Sequence, residues 1–164
     1  MNYPSAQECA RILSECRTPE HVMRHCAAVA EYARSIAKKL NAAGFSLNVG
    51  ALYAAGHLHD CLRTEPNHAS AAAELLASLG YAELAKLIAA HHDLPEPVSL
   101  DEAAILFYAD KRVQEERIVT LTERFSASLS KCRTEEARKA MQARLDAALT
   151  VENLITAALG TTDF

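Results

Sequence analysis

Apolar residues recur along most of the chain at the i, i+3, i+4 spacing of amphipathic helices, and the alternation that marks strands is nearly absent. Ser5-Ala6-Gln7-Glu8 has the form of a capping box and opens a short helix to about Cys16. Thr18-Pro19-Glu20 supplies an N-cap, a proline at the first helical position and an early acid for a second helix, which Gly44 stops after about Ala43. Its apolar stripe is Val22, His25, Val29, Tyr32, Ala33, Ile36 and Leu40, so a histidine stands on the buried face. A third helix starts after Ser46. Ala51, Leu52, Ala55, Leu58, His59 and Leu62 share one face of it, which turns His59 inward and sets Asp60 at the edge of that face.

Thr64-Glu65-Pro66-Asn67 reads as a turn, with Asn67 capping a fourth helix that ends at Gly80 and faces inward with His68, Ala71, Ala72, Leu75, Leu76 and Leu79. A fifth helix, from about Tyr81, buries Leu84, Leu87, Ile88 and His91 and turns His92 off that face. Asp93-Leu94-Pro95-Glu96-Pro97 breaks it. Ser99-Leu100-Asp101-Glu102 predicts a capping box for a sixth helix, in which Ala103, Leu106, Phe107, Asp110 and Val113 share a face. Thr120 or Thr122 opens a seventh helix, and Thr134-Glu135-Glu136 starts a last one that ends near Gly160. The pattern predicts an all-α bundle of about seven or eight helices in a single domain.

Composition agrees. Half of the 164 residues are apolar, with only five glycines and five prolines, which favours helices. A net charge of -4 lacks the basic footprint of a nucleic-acid-binding surface. No apolar run reaches membrane-span length, and the N-terminus lacks the basic and apolar regions of a signal peptide. Five cysteines, without a C-x-x-C, read as reduced, packed thiols. Together these predict a cytoplasmic protein without nucleic-acid or membrane partners, and leave a homo-oligomer open.

The candidate chemistry lies on the inward faces. Separate helices place His25, His59 with Asp60, His68, His91 and Asp110 toward the interior. A lone histidine on an apolar face is usually a core residue bonded to backbone, but so many coincidences in one small bundle point to a metal site built from facing helices. Buried carboxylates also require pairing or ligation. The nitrogen and oxygen donor set, without thiolates, suits iron, manganese, zinc or cobalt and disfavours a structural zinc. His21 shares a face with His25, and His57 falls one turn before Asp60; both are weaker candidates. Cys26 and Cys61 flank ligands but point away, into the packing.

The order His25, His59-Asp60, Asp110 resembles that of the HD-domain metal-dependent phosphohydrolases. His25-Cys-Ala-Ala-Val29-Ala30-Glu31-Tyr-Ala33 is similar to the family's H-x-x-x-V-A-E-x-A, Leu58-His59-Asp60-Cys61-Leu62-Arg63 to its L-H-D-I-G/A-K/R, and Tyr108-Ala109-Asp110-Lys111 to its Y-A-D-K/Y. His68 and His91 resemble the extra histidines of the branch that holds two metals, which includes the symmetrical diadenosine-tetraphosphate hydrolases. The resemblance covers roughly residues 20 to 118, with further helices over 120–160. It departs at Leu62, at Arg63 where lysine is common, and after Asp110, where Lys-Arg-Val-Gln-Glu-Glu-Arg117 lacks the proline of that branch's E-P-x-R.

The resemblance implies an HD-domain bundle with one or two divalent transition metal ions. His25, His59, Asp60 and Asp110 would hold the first, and Asp60 would bridge to a second held by His68 and His91. It implies hydrolysis of a small phosphorylated substrate, such as a nucleotide, by metal-activated water. Asp60 and Arg63 are the expected catalytic residues. Arg63, Lys111, Arg117 and His92 are the expected substrate contacts. The same ligands serve a di-iron oxygenase acting on a small alcohol, and the same fold serves non-catalytic regulatory modules; both remain alternatives.

Overall fold

A computed structural model describes residues 2–164. Helix α1 (Ala6–Glu15) begins in the expected capping box. The Ser5 hydroxyl accepts from the Glu8 N–H at 3.3 Å and the Glu8 carboxylate accepts from the Ser5 N–H at 2.8 Å. Helix α2 (Glu20–Ala42) does not use Thr18 as its cap. Pro19 occupies that position without a side-chain bond, and the Thr18 hydroxyl instead donates to the carbonyl of Cys61 at 2.7 Å. A residue read as a local cap is therefore a tertiary clasp on the chain just after Asp60.

Helix α3 (Val49–Leu58) starts at Asn48, whose side chain accepts from the Ala51 N–H at 3.0 Å, and not directly after Ser46. It also ends early, so His59 and Asp60 lie in the turn that follows it. The cause is local competition. The His59 ring Nδ1 bonds to the Gly56 carbonyl at 2.8 Å, the acceptor that the Asp60 N–H would take if the helix continued. Helices α4 (His68–Ser78) and α5 (Ala82–Ala89) form a helical hairpin across Gly80, whose φ of +88° needs glycine. Asn67 adopts a left-handed conformation and caps nothing with its side chain. Leu79, expected inward, is 40% exposed, because only Ala72 and Leu76 of α4 are buried.

Helix α6 (Glu102–Arg112) is the central element, buried without interruption from Ala104 to Lys111. Its N-cap is Asp101 and not Ser99. The Asp101 carboxylate accepts from the Ala104 N–H at 2.9 Å and also from the Ser99 hydroxyl, and Glu102 turns away to accept from the Asn48 N–H at 2.7 Å. A carboxylate two residues closer to the helix outcompetes the serine and leaves the glutamate free to tie α6 to α3. A short antiparallel ribbon follows, β1 (Val113–Gln114) with β2 (Arg117–Ile118), which the helical pattern did not foretell. Its turn holds Glu115 at φ 57°. Thr120, not Thr122, caps α7 (Leu121–Leu129), again through a capping box, and α8 (Glu135–Leu159) runs from Thr134 to Gly160. Glu152 on α8 accepts from Tyr108 at 2.7 Å and from Arg112 at 2.8 Å, which docks the last helix on α6.

This is an all-α bundle, as its sequence predicts, and among the described residues no helix is long and apolar enough to cross a membrane. Its core packs α2 against α3 and α6, through residues such as Ile36, Leu40, Leu52, Leu58, Ile105 and Phe107, all fully buried. The α2–α3 crossing depends on Gly56. A Cβ added there would lie 2.4 Å from the Ala30 Cα, against rigid backbone. Gly56→Ala must push apart the helix carrying His25 and the one leading to His59. A loss of about 1–3 kcal/mol is expected from such overpacking, read as a lower urea midpoint. An unchanged midpoint would contradict the close crossing.

Candidate metal centre

Three histidines reach the centre of the bundle with the same local device. Each ring bonds a backbone carbonyl through Nδ1: His25 to Glu115 at 3.0 Å, His59 to Gly56 at 2.8 Å and His91 to Ile88 at 2.6 Å. A carbonyl only accepts, so Nδ1 carries the proton, and in the neutral ring Nε2 keeps its lone pair. For His59 and His91 the carbonyl belongs to the residue three back, at the end of α3 or α5, and both rings are completely buried. For His25 it belongs to the strained turn of the β-ribbon, 90 residues further along.

The Nε2 atoms converge on two carboxylates. His25 Nε2 lies 3.1 Å and His59 Nε2 3.5 Å from Asp110 Oδ1. His59 Nε2 is also 3.7 Å from Asp60 Oδ2, and on the other oxygen of Asp60 stand His91 Nε2 at 3.7 Å and His68 Nε2 at 3.1 Å. Asp60 thus stands between two sets of imidazoles. His92 closes the far side, its Nε2 2.9 Å from that of His68. Three groups of side chains bring their donor atoms within 4.8 Å of one another: His25, His59 and Asp110; His59, Asp60 and His91; His68, His91 and His92.

The fit to a metal rests on atoms that nothing in the protein satisfies. His59 Nε2, His91 Nε2 and Asp60 Oδ1 are buried and have no hydrogen-bond partner; the approach of His68 to Asp60 Oδ1 is close but not along a bonding direction. Leaving such atoms unpaired costs about 1–3 kcal/mol each, and a cation facing all of them removes that cost. The donors are imidazole nitrogen and carboxylate oxygen, and no thiol joins any of the groups among the described residues. Such a set suits a first-row transition metal.

The electrostatics of the cluster keep both carboxylates ionised. Burial alone would raise the pKa of Asp60, but His91 and His59 outweigh it and hold the carboxyl well below its usual range. Burial also opposes ionisation of Asp110, yet Lys111, His25 and His59 keep it strongly acidic. Burial disfavours the imidazolium of His59, while Cys26, Asp110 and Asp60 draw a proton onto it and raise its pKa. Burial and the nearby charges of His91 and Lys111 push His92 down to about 3, so it stays neutral.

Lys111, expected as a substrate contact, is committed to the protein's own groups. It is buried, donates to Asp110 Oδ2 at 2.7 Å and to the His91 carbonyl at 3.0 Å, and so ties α6 to the end of α5. Arg63 is half exposed, with Nε 3.4 Å from Asp60 Oδ2 and a terminal nitrogen 3.3 Å from His68 Nδ1. Arg117 is exposed on β2 and does not line the cavity over the centre. His57 stacks edge-on against Tyr53 outside all three donor groups, and His21 sits exposed at the cavity wall.

That cavity holds about 550 Å³, within the range of small-molecule pockets. His25, Asp60, Asp110, His92, Lys111 and Arg63 line its inner part. Arg124, Phe125 and Ser128 of α7 and Met141 and Arg144 of α8 complete the wall. No local motif in the sequence marks Arg124, Arg144 or the Glu115 carbonyl as neighbours of the centre.

Comparison with known proteins agrees with this geometry. The chain is 29% identical over 130 residues to an uncharacterized protein of Methanocaldococcus jannaschii, an alignment covering 64% of this chain and 77% of the relative. No solved structure matches the chain at a significant level. The HD domain profile matches residues 22–128, which span His25, His59-Asp60, His68, His91 and Asp110, and the chain therefore belongs to the HD-domain family.

Proposed function

We propose that the protein is a metal-dependent phosphohydrolase acting on a nucleotide or another small phosphate ester. The observation that carries this reading is the convergence of unsatisfied imidazole and carboxylate atoms of His59, His91 and Asp60 directly beneath a cavity whose wall includes Arg63, Lys111, Arg124 and Arg144. His25, His59, Asp60 and Asp110 are assigned to the first ion. Asp60 would be shared with a second, which His68 and His91 would hold. His92, in contact with His68, would then add a third imidazole to that group instead of the substrate contact expected of it. A divalent transition metal in such a site supplies Lewis acidity toward phosphoryl oxygen and lowers the pKa of water.

The protein's own residues do the rest. The carbonyl bonds of His25, His59 and His91 set ring direction before any ion arrives, as preorganised donors require. Lys111 holds Asp110 in place and offsets its charge. Arg63 reaches Asp60 with one nitrogen and remains half exposed, free to present its fork to phosphate oxygens entering from the cavity. Val22, Val113, Phe125 and Met141 offer apolar surface for the body of the ester. The diadenosine-tetraphosphatase branch remains a candidate for the substrate, without support from the chain after Asp110.

Metal analysis combined with a phosphatase screen tests the assignment. Asp60→Ala and Asp110→Ala are expected to lose bound metal and turnover together. Arg63→Ala should keep its metal while losing about 10²–10³ in rate, the scale for removing one preorganised donor to transition-state charge. Normal turnover by Arg63→Ala removes that residue from the mechanism. Oxygen consumption on a small alcohol, with no phosphate ester cleaved, moves the protein to the oxygenase reading.

The pH dependence of metal affinity follows from His59. Its raised pKa means that the metal-free protein binds a proton there at pH values where an ordinary histidine would not. That proton must leave before Nε2 can ligate. Affinity should therefore weaken as pH falls through the raised pKa, and binding near neutral pH should release protons. Calorimetric titration in buffers of different ionisation enthalpy measures that release. An enthalpy independent of buffer would mean that His59 is already neutral.

A further inference from the structure

The cavity holds one cation without a counter-charge. Arg24 is paired with Glu20 at 2.8 Å and Glu116 at 2.7 Å, Arg144 forms a two-pronged pair with Asp93 at 2.8 and 3.0 Å, Lys111 is held by Asp110 at 2.7 Å, and Arg63 faces Asp60 at 3.4 Å. Arg124, on α7, has no carboxylate within 4.0 Å among the described residues. Its one polar contact is a long bond to the Ser128 hydroxyl at 3.4 Å, and its Nε is buried with no partner at all.

An arginine with no ligand to bind usually extends its charged end into water while its stem covers apolar surface. Arg124 does so only in part: the residue is half-buried, and its Nε–H, in the wall of the cavity, meets neither water nor an acceptor. A buried donor of this kind is costly until an acceptor reaches it, and a planar guanidinium offers Nε and a terminal nitrogen together to two oxygens of one phosphate. Helix α7 contributes nothing to the metal centre, and Phe125 and Met141 bring apolar surface to the same wall. Arg124 therefore serves a part of the ligand other than the reacting phosphate.

We propose that Arg124 is a specificity-determining residue that binds a second phosphate group of the substrate. The preferred substrates are then small phosphate esters carrying two phosphates, such as nucleoside diphosphates, over their monophosphate counterparts. This rests on the phosphohydrolase reading given above, deepening it with a substrate class.

The test compares kcat/KM for ADP and AMP in the wild type, Arg124→Ala and Arg124→Lys, all metal-loaded, alongside calorimetric binding of the non-hydrolysable α,β-methylene analogue of ADP. The ADP-to-AMP preference should fall about tenfold to a hundredfold in Arg124→Ala, the worth of a lost charged hydrogen-bond pair. The fall should come through KM rather than kcat, with part of it restored in Arg124→Lys. The analogue should bind more weakly by a similar factor. A preference and an analogue affinity that do not respond to Arg124→Ala overturn the proposal while leaving hydrolysis standing. Binding of the analogue that depends on Arg124, without turnover of any phosphate ester, sinks the hydrolase reading but keeps the anion site. Absence of both turnover and analogue binding in the wild type rejects both.

Discussion

Two carboxylates, Asp60 and Asp110, are buried where an apolar bundle would ordinarily place leucine, and the surrounding structure is shaped by the need to compensate them. Isolated ionised carboxylates in such a setting would take up protons or unfold the region. Here they are ringed by imidazoles from α2, from the turn after α3, from α4 and from the chain after α5, and by one buried ammonium from Lys111. The compensation is partial, since oxygen and nitrogen atoms at the centre stay unsatisfied. A fold that leaves polar atoms unpaired in its most buried region has accepted a stability cost there, and a cation at that point is the simplest means of removing it.

The way the rings are aimed links local backbone chemistry to that centre. His59 and His91 each lie just past the end of a helix and take a carbonyl three residues back, so a terminal helix carbonyl sets the tautomer of the ring. Helix ends, rather than helix interiors, therefore present the donors. The Thr18 hydroxyl secures the turn after Asp60, and Lys111 secures the His91 carbonyl. His25 is the exception, because it depends on a carbonyl from the β-ribbon far along the chain. That dependence explains why two very short strands matter in an otherwise helical protein.

The family motifs and the later helices contribute different parts of the cavity. The candidate ligands come from α2, α4 and α6 and from the segments that follow α3 and α5, all set around the α2–α3–α6 core. The outer wall comes from α7 and α8, which contact the rest over a smaller area and leave more of their surface in water. Chemistry common to a family can sit on the first set while the second varies with the substrate.

Helical periodicity established an all-α bundle and the inward faces of its histidines, while the motif order showed a resemblance to the HD-domain family that the profile match bears out. Those are properties of local spacing, and spacing is visible in a linear chain. Where helices stop was less legible: α3 ends at Leu58 because a side chain wins a backbone carbonyl, and Asp101 displaces Ser99 as a cap because its carboxylate is the closer acceptor. What only the tertiary structure decided were contacts between distant segments, Thr18 on Cys61, Glu115 on His25 and Lys111 bridging Asp110 and the His91 carbonyl, and the burial of an unpartnered Arg124 Nε in the cavity wall. None has a sequence signature, because each depends on two surfaces that meet only after the helices have packed.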